Sequence, residues 1–187
     1  MASNAPPSDL RRPQRFITDH NPEGKAIFNT SLPEEIPQQT VGGNAKFYLG
    51  YTTEQTPASF TGNADISSYA ARLANPPGIV IPGGSVMRIV DMPPGSLSPM
   101  HRTVSLDYGV VLEGEIDLVL DSGEVRRMKR GDVSVQRGTN HAWKNVSETG
   151  WARMLYVLQE SHPLEVGGKV LKEDYGEGMG DVKPSGN

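Results

Sequence analysis

Between Ser85 and Gln159 six short apolar runs follow one another: SVMRIVDM, VSLDYGVVL, EIDLVL, EVRRMK, DVSVQ and WARMLYVLQ. Turn residues separate them at Pro93-Pro94-Gly95, Glu113-Gly114, Asp121-Ser122-Gly123, Arg130-Gly131 and Arg137-Gly138. Runs this short, bounded this way, predict β-strands rather than helices. Asp-Ser-Gly between EIDLVL and EVRRMK predicts a tight hairpin. Strands at such close spacing bury their apolar faces by packing sheet on sheet. The chain is therefore predicted to be all-β, an antiparallel sandwich or small barrel.

The remainder of the 187 residues is organised around this block. Residues 1–14 are polar and proline-rich and are predicted to be disordered. Residues 15–79 form an N-terminal arm of short strands (FITDH, KAIFNT, AKFYLGYTT), loop and one short helix at Ile66–Ala74. Asp65 is placed to cap that helix and Asn75-Pro76-Pro77-Gly78 to stop it. The barrel spans 80–162, and 163–187, rich in Gly, Glu and Lys, is predicted to be a surface tail. No internal repeat is visible, so one barrel is expected.

A net charge of −4, with no basic run longer than Arg11-Arg12 or Arg126-Arg127, argues against a nucleic-acid partner. With no cysteine, disulfides are excluded. The first residues carry no apolar signal core, and no stretch has the length of a membrane span. A soluble, cytoplasmic protein with no membrane partner is the expectation.

Side chains alternate between the two faces of a strand. From residue 101 the odd positions are His101, Thr103, Ser105, Asp107 and Gly109; the even ones are Arg102, Val104, Leu106, Tyr108 and Val110. Taken alone, the polar set reads as the solvent face of a half-buried strand.

A longer pattern changes that reading. PPGSLSPMHRTVSLDYGVVLEGE resembles the first signature of the cupin superfamily, with Gly95, His101, Asp107 and Gly114 in register. Thr103 stands where the signature has its second histidine, and Asp107 where it has glutamate. GDVSVQRGTNHAWKN is similar to the second signature through Gly131, Gly138, His141 and Asn145, one residue shorter and without its proline. The resemblance covers residues 80–160 and implies a single jelly-roll-like antiparallel β-barrel whose odd-numbered face points inward.

The resemblance also implies a site. His101, Asp107 and His141 are its metal ligands, for Fe, Zn, Ni or Mn, or no metal binds because Thr103 replaces a usual ligand. Without metal the same three residues form a catalytic acid–base cluster. Arg88, Thr103, Ser105, Gln136, Trp143 and Asn145 are the candidate substrate-binding residues, Arg88 as the holder of a carboxylate or enolate. The chain looks like small single-domain cupins of polyketide and other specialised-metabolite pathways. The function this implies is isomerisation, dehydration or decarboxylation of a small oxygenated, polyketide- or phenol-type metabolite. The alternatives are an iron-using oxidoreductase or dioxygenase and a non-catalytic ligand-binding cupin. A homodimer is expected.

Overall fold

Asp121-Ser122-Gly123 turns the chain as its composition predicts. Gly123 takes φ of 86°, a conformation open to glycine at little cost, and its N–H donates to Leu120 O. This turn joins β7 (Glu115–Leu120) to β8 (Val125–Lys129). The structure, a computed structural model, describes residues 6–42, 44–176 and 182–185. Its other strands are β1 (Ile17–His20), β2 (Ala26–Asn29), β3 (Gln38–Val41), β4 (Ala45–Thr53), β5 (Ser85–Met92) and β6 (Ser105–Glu113). Then come β9 (Val133–Arg137), β10 (His141–Asn145), β11 (Ala152–Glu160), β12 (Leu164–Val166) and β13 (Lys169–Leu171). One helix, α1 (Ala64–Ala74), interrupts them.

Two antiparallel sheets make the body. The larger has the order β3-β4-β5-β11-β6-β9 and the smaller β10-β7-β8. Val90, Met92, Val111 and Met154 from the first meet Ile116, Met128 and Trp143 from the second in one buried cluster. A second cluster, around Leu49, Tyr69, Ile79, Val86 and Leu158, seats α1 against the large sheet. The body is the all-β antiparallel sandwich that the spacing of the runs predicts, two packed sheets rather than one closed barrel. Among the described residues, no helix is long and apolar enough to cross a membrane.

The flanking segments depart from expectation. β4 belongs to the large sheet rather than to a separate arm, pairing with β5 from Lys46 opposite Asp91 to Thr53 opposite Ser85. Near Gly50 the register shifts, and a Cβ there would lie 2.6 Å from Met87 Cε, so a larger residue would have to displace the Met87 side chain. Residues 6–14, expected to be disordered, lie along the sheet. Trp151 Nε1 donates to Pro6 O at 3.0 Å and Arg153 Nη1 to Arg11 O at 2.8 Å. Residues 1–5 lie outside the described residues.

The helix starts one residue before Asp65, at an Asn63 cap position of left-handed conformation. Asp65 makes no cap; it accepts instead from Tyr51 Oη at 2.7 Å. In the expected tail, β12 and β13 form an exposed hairpin. Asp174 beyond it pairs with Arg102 backbone to backbone, and Tyr175 packs onto the second cluster. The part of that tail at 177–181 and 186–187 lies outside the described residues.

Candidate functional site

The mouth is built by main chain first. Residues 96–101 run beside β10: Asn145 N donates to Ser96 O at 2.9 Å and Ser98 N to Trp143 O at 2.8 Å. At the end of this ladder His101 and His141 exchange both bonds, each N donating to the other's O at 2.9 Å. Residues paired so directly point their side chains to one face. The two rings lie with centroids 4.4 Å apart at 47°, and the Trp143 ring meets His141 edge-on at 5.3 Å.

Each imidazole is oriented by its own loop. His101 Nδ1 lies 2.9 Å from Pro99 O, and His141 Nδ1 lies 2.9 Å from Thr139 O. A carbonyl oxygen only accepts, so both Nδ1 atoms carry hydrogen, and both Nε2 atoms hold a free lone pair. Burial pushes the His101 pKa down. Burial, followed by the neighbouring charge of His101, pushes His141 down to about 4. At neutral pH the pair is two neutral bases side by side.

Behind them the large sheet presents its inner face in rows. Gln136, Asp107 and Leu158 are cross-strand partners in one row, and Ser134, Gly109, Tyr156 and Arg88 in the next. Gly109 leaves space for its neighbours, since a Cβ there would meet Ser134 Oγ at 2.6 Å and the Tyr156 ring at 3.2 Å. Asp107 is buried, and burial raises its carboxyl to about 6. Its Oδ2 accepts from Thr103 Oγ1 at 3.0 Å, and the Ser105 and Thr103 hydroxyls partly offset the effect of burial. Burial and then the Asp107 charge hold the Tyr156 phenol well above its ordinary pKa.

The expected inward face is observed: His101, Thr103, Ser105, Asp107 and Gly109 are buried, while the intervening even residues are half-buried or exposed. A cavity of about 330 Å³ opens among Arg88, His101, Thr103, Asp107, Gln136 and His141. Its apolar walls include Phe47, Val90, Leu97, Trp143 and Leu158, and Tyr156 also lines it. The volume suits a small metabolite. Gln136 Oε1 accepts from Thr139 Oγ1 at 2.5 Å, tying it to the loop that orients His141.

Two expected substrate-binding residues stand elsewhere. Asn145 is fully buried, its Nδ2 donating to Met92 O, Pro93 O and Gly150 O, and it clamps loops rather than lining the cavity. Ser105 is fully buried at the start of β6; it does not line the cavity but acts on the Asp107 carboxyl.

The expected ligand set does not converge either. Among the described residues, no three His, Asp or Glu side chains meet at a spacing that would hold a metal ion. Aspartate is one methylene shorter than the glutamate of the signature, and here its Oδ2 engages Thr103. The two imidazoles meet, and Asp107 stands apart in the same cavity.

Tyr156 and Phe47 line the cavity without having been singled out. Tyr156 shares parity with Met154 and Leu158, so the alternation of WARMLYVLQ carried its signal. Phe47 lies on β4, outside the expected barrel.

Comparison with known proteins places the chain among fungal relatives. It is 55% identical over 186 residues to phomopsin biosynthesis cluster protein D of Diaporthe leptostromiformis, covering 100% of this chain and 98% of that one. It is 45% identical to oryzines biosynthesis cluster protein J of Aspergillus oryzae, over 95% of this chain and 97% of that one. It is 43% identical to the cupin-domain-containing oxidoreductase virC of Hypocrea virens, over 88% and 84%. Residues 88–158 match the family described as the cupin domain. With both signatures, the two-sheet body and these relatives in agreement, the chain belongs to the cupin family.

Proposed function

We propose that this cupin moves a proton on a small oxygenated metabolite, with the His101–His141 pair as its base. One observation carries the reading: both Nδ1 atoms face carbonyl oxygens, which leaves two neutral Nε2 lone pairs on the cavity wall. An Nε2 atom takes a proton from carbon next to a substrate carbonyl, giving an imidazolium and an enolate. Returning that proton to another carbon completes an isomerisation; sending it to a leaving hydroxyl releases water. Asp107, its carboxyl raised to about 6 by burial, is ionised in most molecules at neutral pH and takes up and returns a proton more readily than an ordinary carboxylate. Burial disfavours a lasting imidazolium, so the rings hold a proton only while the adjacent substrate is anionic. No step is routed through a metal, because the three expected ligands do not converge.

The test is deuterium uptake from solvent into small β-keto acids and aldehydes. Wild type is expected to accelerate exchange, and His101→Ala and His141→Ala to lower the rate by about 10²–10⁴-fold. Exchange in both variants equal to wild type sinks the reading. A second reading, an oxidoreductase, is supported by the names of relatives such as virC. Oxygen consumption coupled to substrate loss, with stoichiometric metal in the purified protein, would favour it. A homodimer is supported by the exposed outer strip of Tyr108, Val133 and Val135, and light scattering checks it.

A further inference from the structure

A buried guanidinium without a carboxylate is costly unless something else answers its charge. Arg88 is 8% exposed, and among the described residues no Asp or Glu forms an ion pair with it. Its Nη2 donates to Gly78 O at 3.0 Å, and the guanidinium lies over the Phe47 ring at 5.4 Å. Tyr175 is its nearest titratable influence, and that hydroxyl engages Glu173 and Ser185. Burial raises the Tyr175 pKa, so the phenol stays neutral and supplies no counter-charge.

The surroundings decide what would supply it. Arg88 shares the cavity with the two neutral imidazoles, and beside it stand Phe47, Val90, Leu158 and its cross-strand partner Tyr156. Asp107 is the cavity's one carboxyl group, and it is engaged with Thr103 in the neighbouring row. A planar guanidinium with free N–H groups in apolar surroundings matches a planar, bidentate anion. The cavity of about 330 Å³, open at its mouth, has room for a body of about one or two rings.

We infer that the ligand of this cavity is a carboxylic acid with an apolar body, its carboxylate held by Arg88 and its body reaching the histidine pair. Inorganic phosphate fits less well, since Phe47, Val90 and Leu158 beside Arg88 offer an apolar body a contact surface and phosphate none. This inference rests on the cavity being the ligand site; it does not depend on the proton chemistry assigned to the histidines.

Benzoate and benzamide are nearly equal in size and differ in charge, so calorimetric titration of both into the full-length protein provides the test. Wild type is expected to bind benzoate about tenfold or more tightly than benzamide, which is about 1.4 kcal/mol. Arg88→Met is expected to abolish that preference while benzamide still binds, and His101→Ala to keep it. Benzoate is also expected to shift the His101 and His141 ring signals in NMR spectra of wild type. Equal binding of the two probes, tighter binding of phosphate than of benzoate, or unshifted histidine signals would overturn the inference. Those readings use wild type alone and remain decisive even where Arg88→Met fails to fold. Loss of deuterium exchange with the benzoate preference intact would instead remove only the proposed chemistry.

Discussion

Two arginines stand on opposite faces of the same sheet and are treated in opposite ways. On the outer face Arg153 meets its cross-strand partner Asp91 with two bonds, Nε at 2.5 Å and Nη2 at 2.7 Å. Tyr48 Oη donates to the same carboxylate at 3.3 Å, and the 6–14 segment closes over the pair through Arg11 O. Every strong charge there has an answer within the chain. On the inner face Arg88 has one carbonyl and an aromatic ring. The outer network is finished and serves stability. The inner one, among the described residues, has no carboxylate of its own.

The largest expected effect breaks the finished side. Asp91→Ala strands Arg153 as an unpaired buried charge and should destabilise the fold by about 3–5 kcal/mol in urea titrations. A loss below about 1 kcal/mol would mean that the outer pair is no more structural than a surface ion pair.

Asp107 comes next, because its buried carboxyl also lacks a charged partner. With its pKa raised from 3.8 to about 6, the folded state keeps a proton between these values that the unfolded chain releases. Stability contributed by this group therefore falls as pH rises through that window, by up to about 3 kcal/mol. Asp107→Asn should gain in melting temperature over wild type on going from pH 4 to pH 7, and a constant difference would contradict the burial argument. His141 has the opposite slope: its pKa is lowered from 6.5 to about 4, so its contribution is lost as pH falls through that range. His141→Gln should flatten that second slope.

Removing residues 1–12 takes away the bonds to Arg153 and Trp151, and about 1–3 kcal/mol is expected to go with them. Tryptophan fluorescence should shift to longer wavelength as Trp151 meets water; an unchanged spectrum would show that the segment does not cover it. The smallest effect sharpens the contrast from the other side. Arg88→Met is expected to change stability by less than about 1 kcal/mol, or to raise it, because it removes a buried charge that has no ionic partner. A loss as large as that of Asp91→Ala would erase the distinction between the two faces.

Much of this was legible before any coordinates. A period of two over residues 101–109 separates the inward set from the outward one, and the two signatures place His101 opposite His141 although thirty-nine residues of chain lie between them. What stayed hidden depends on contacts between distant segments. Nothing local in AKFYLGYTT says that it pairs with β5 rather than with its own neighbours, so Phe47 was missed as a wall of the cavity. The polar, proline-rich 6–14 segment carries no apolar pattern, and its order comes from carbonyls that satisfy Trp151 and Arg153. Asn145 belongs to a signature associated with the site, yet its amide spans three carbonyls in the loops. The reach of Asp107 is decided by a single methylene, a detail of geometry that strand periodicity does not encode.

The reciprocal bonds between His101 and His141 are made by their backbones, not by their rings. The fastening is thus carried by main-chain atoms and the rings are free of it. A change of side chain at either position would replace the ring on the cavity wall while leaving the mounting intact.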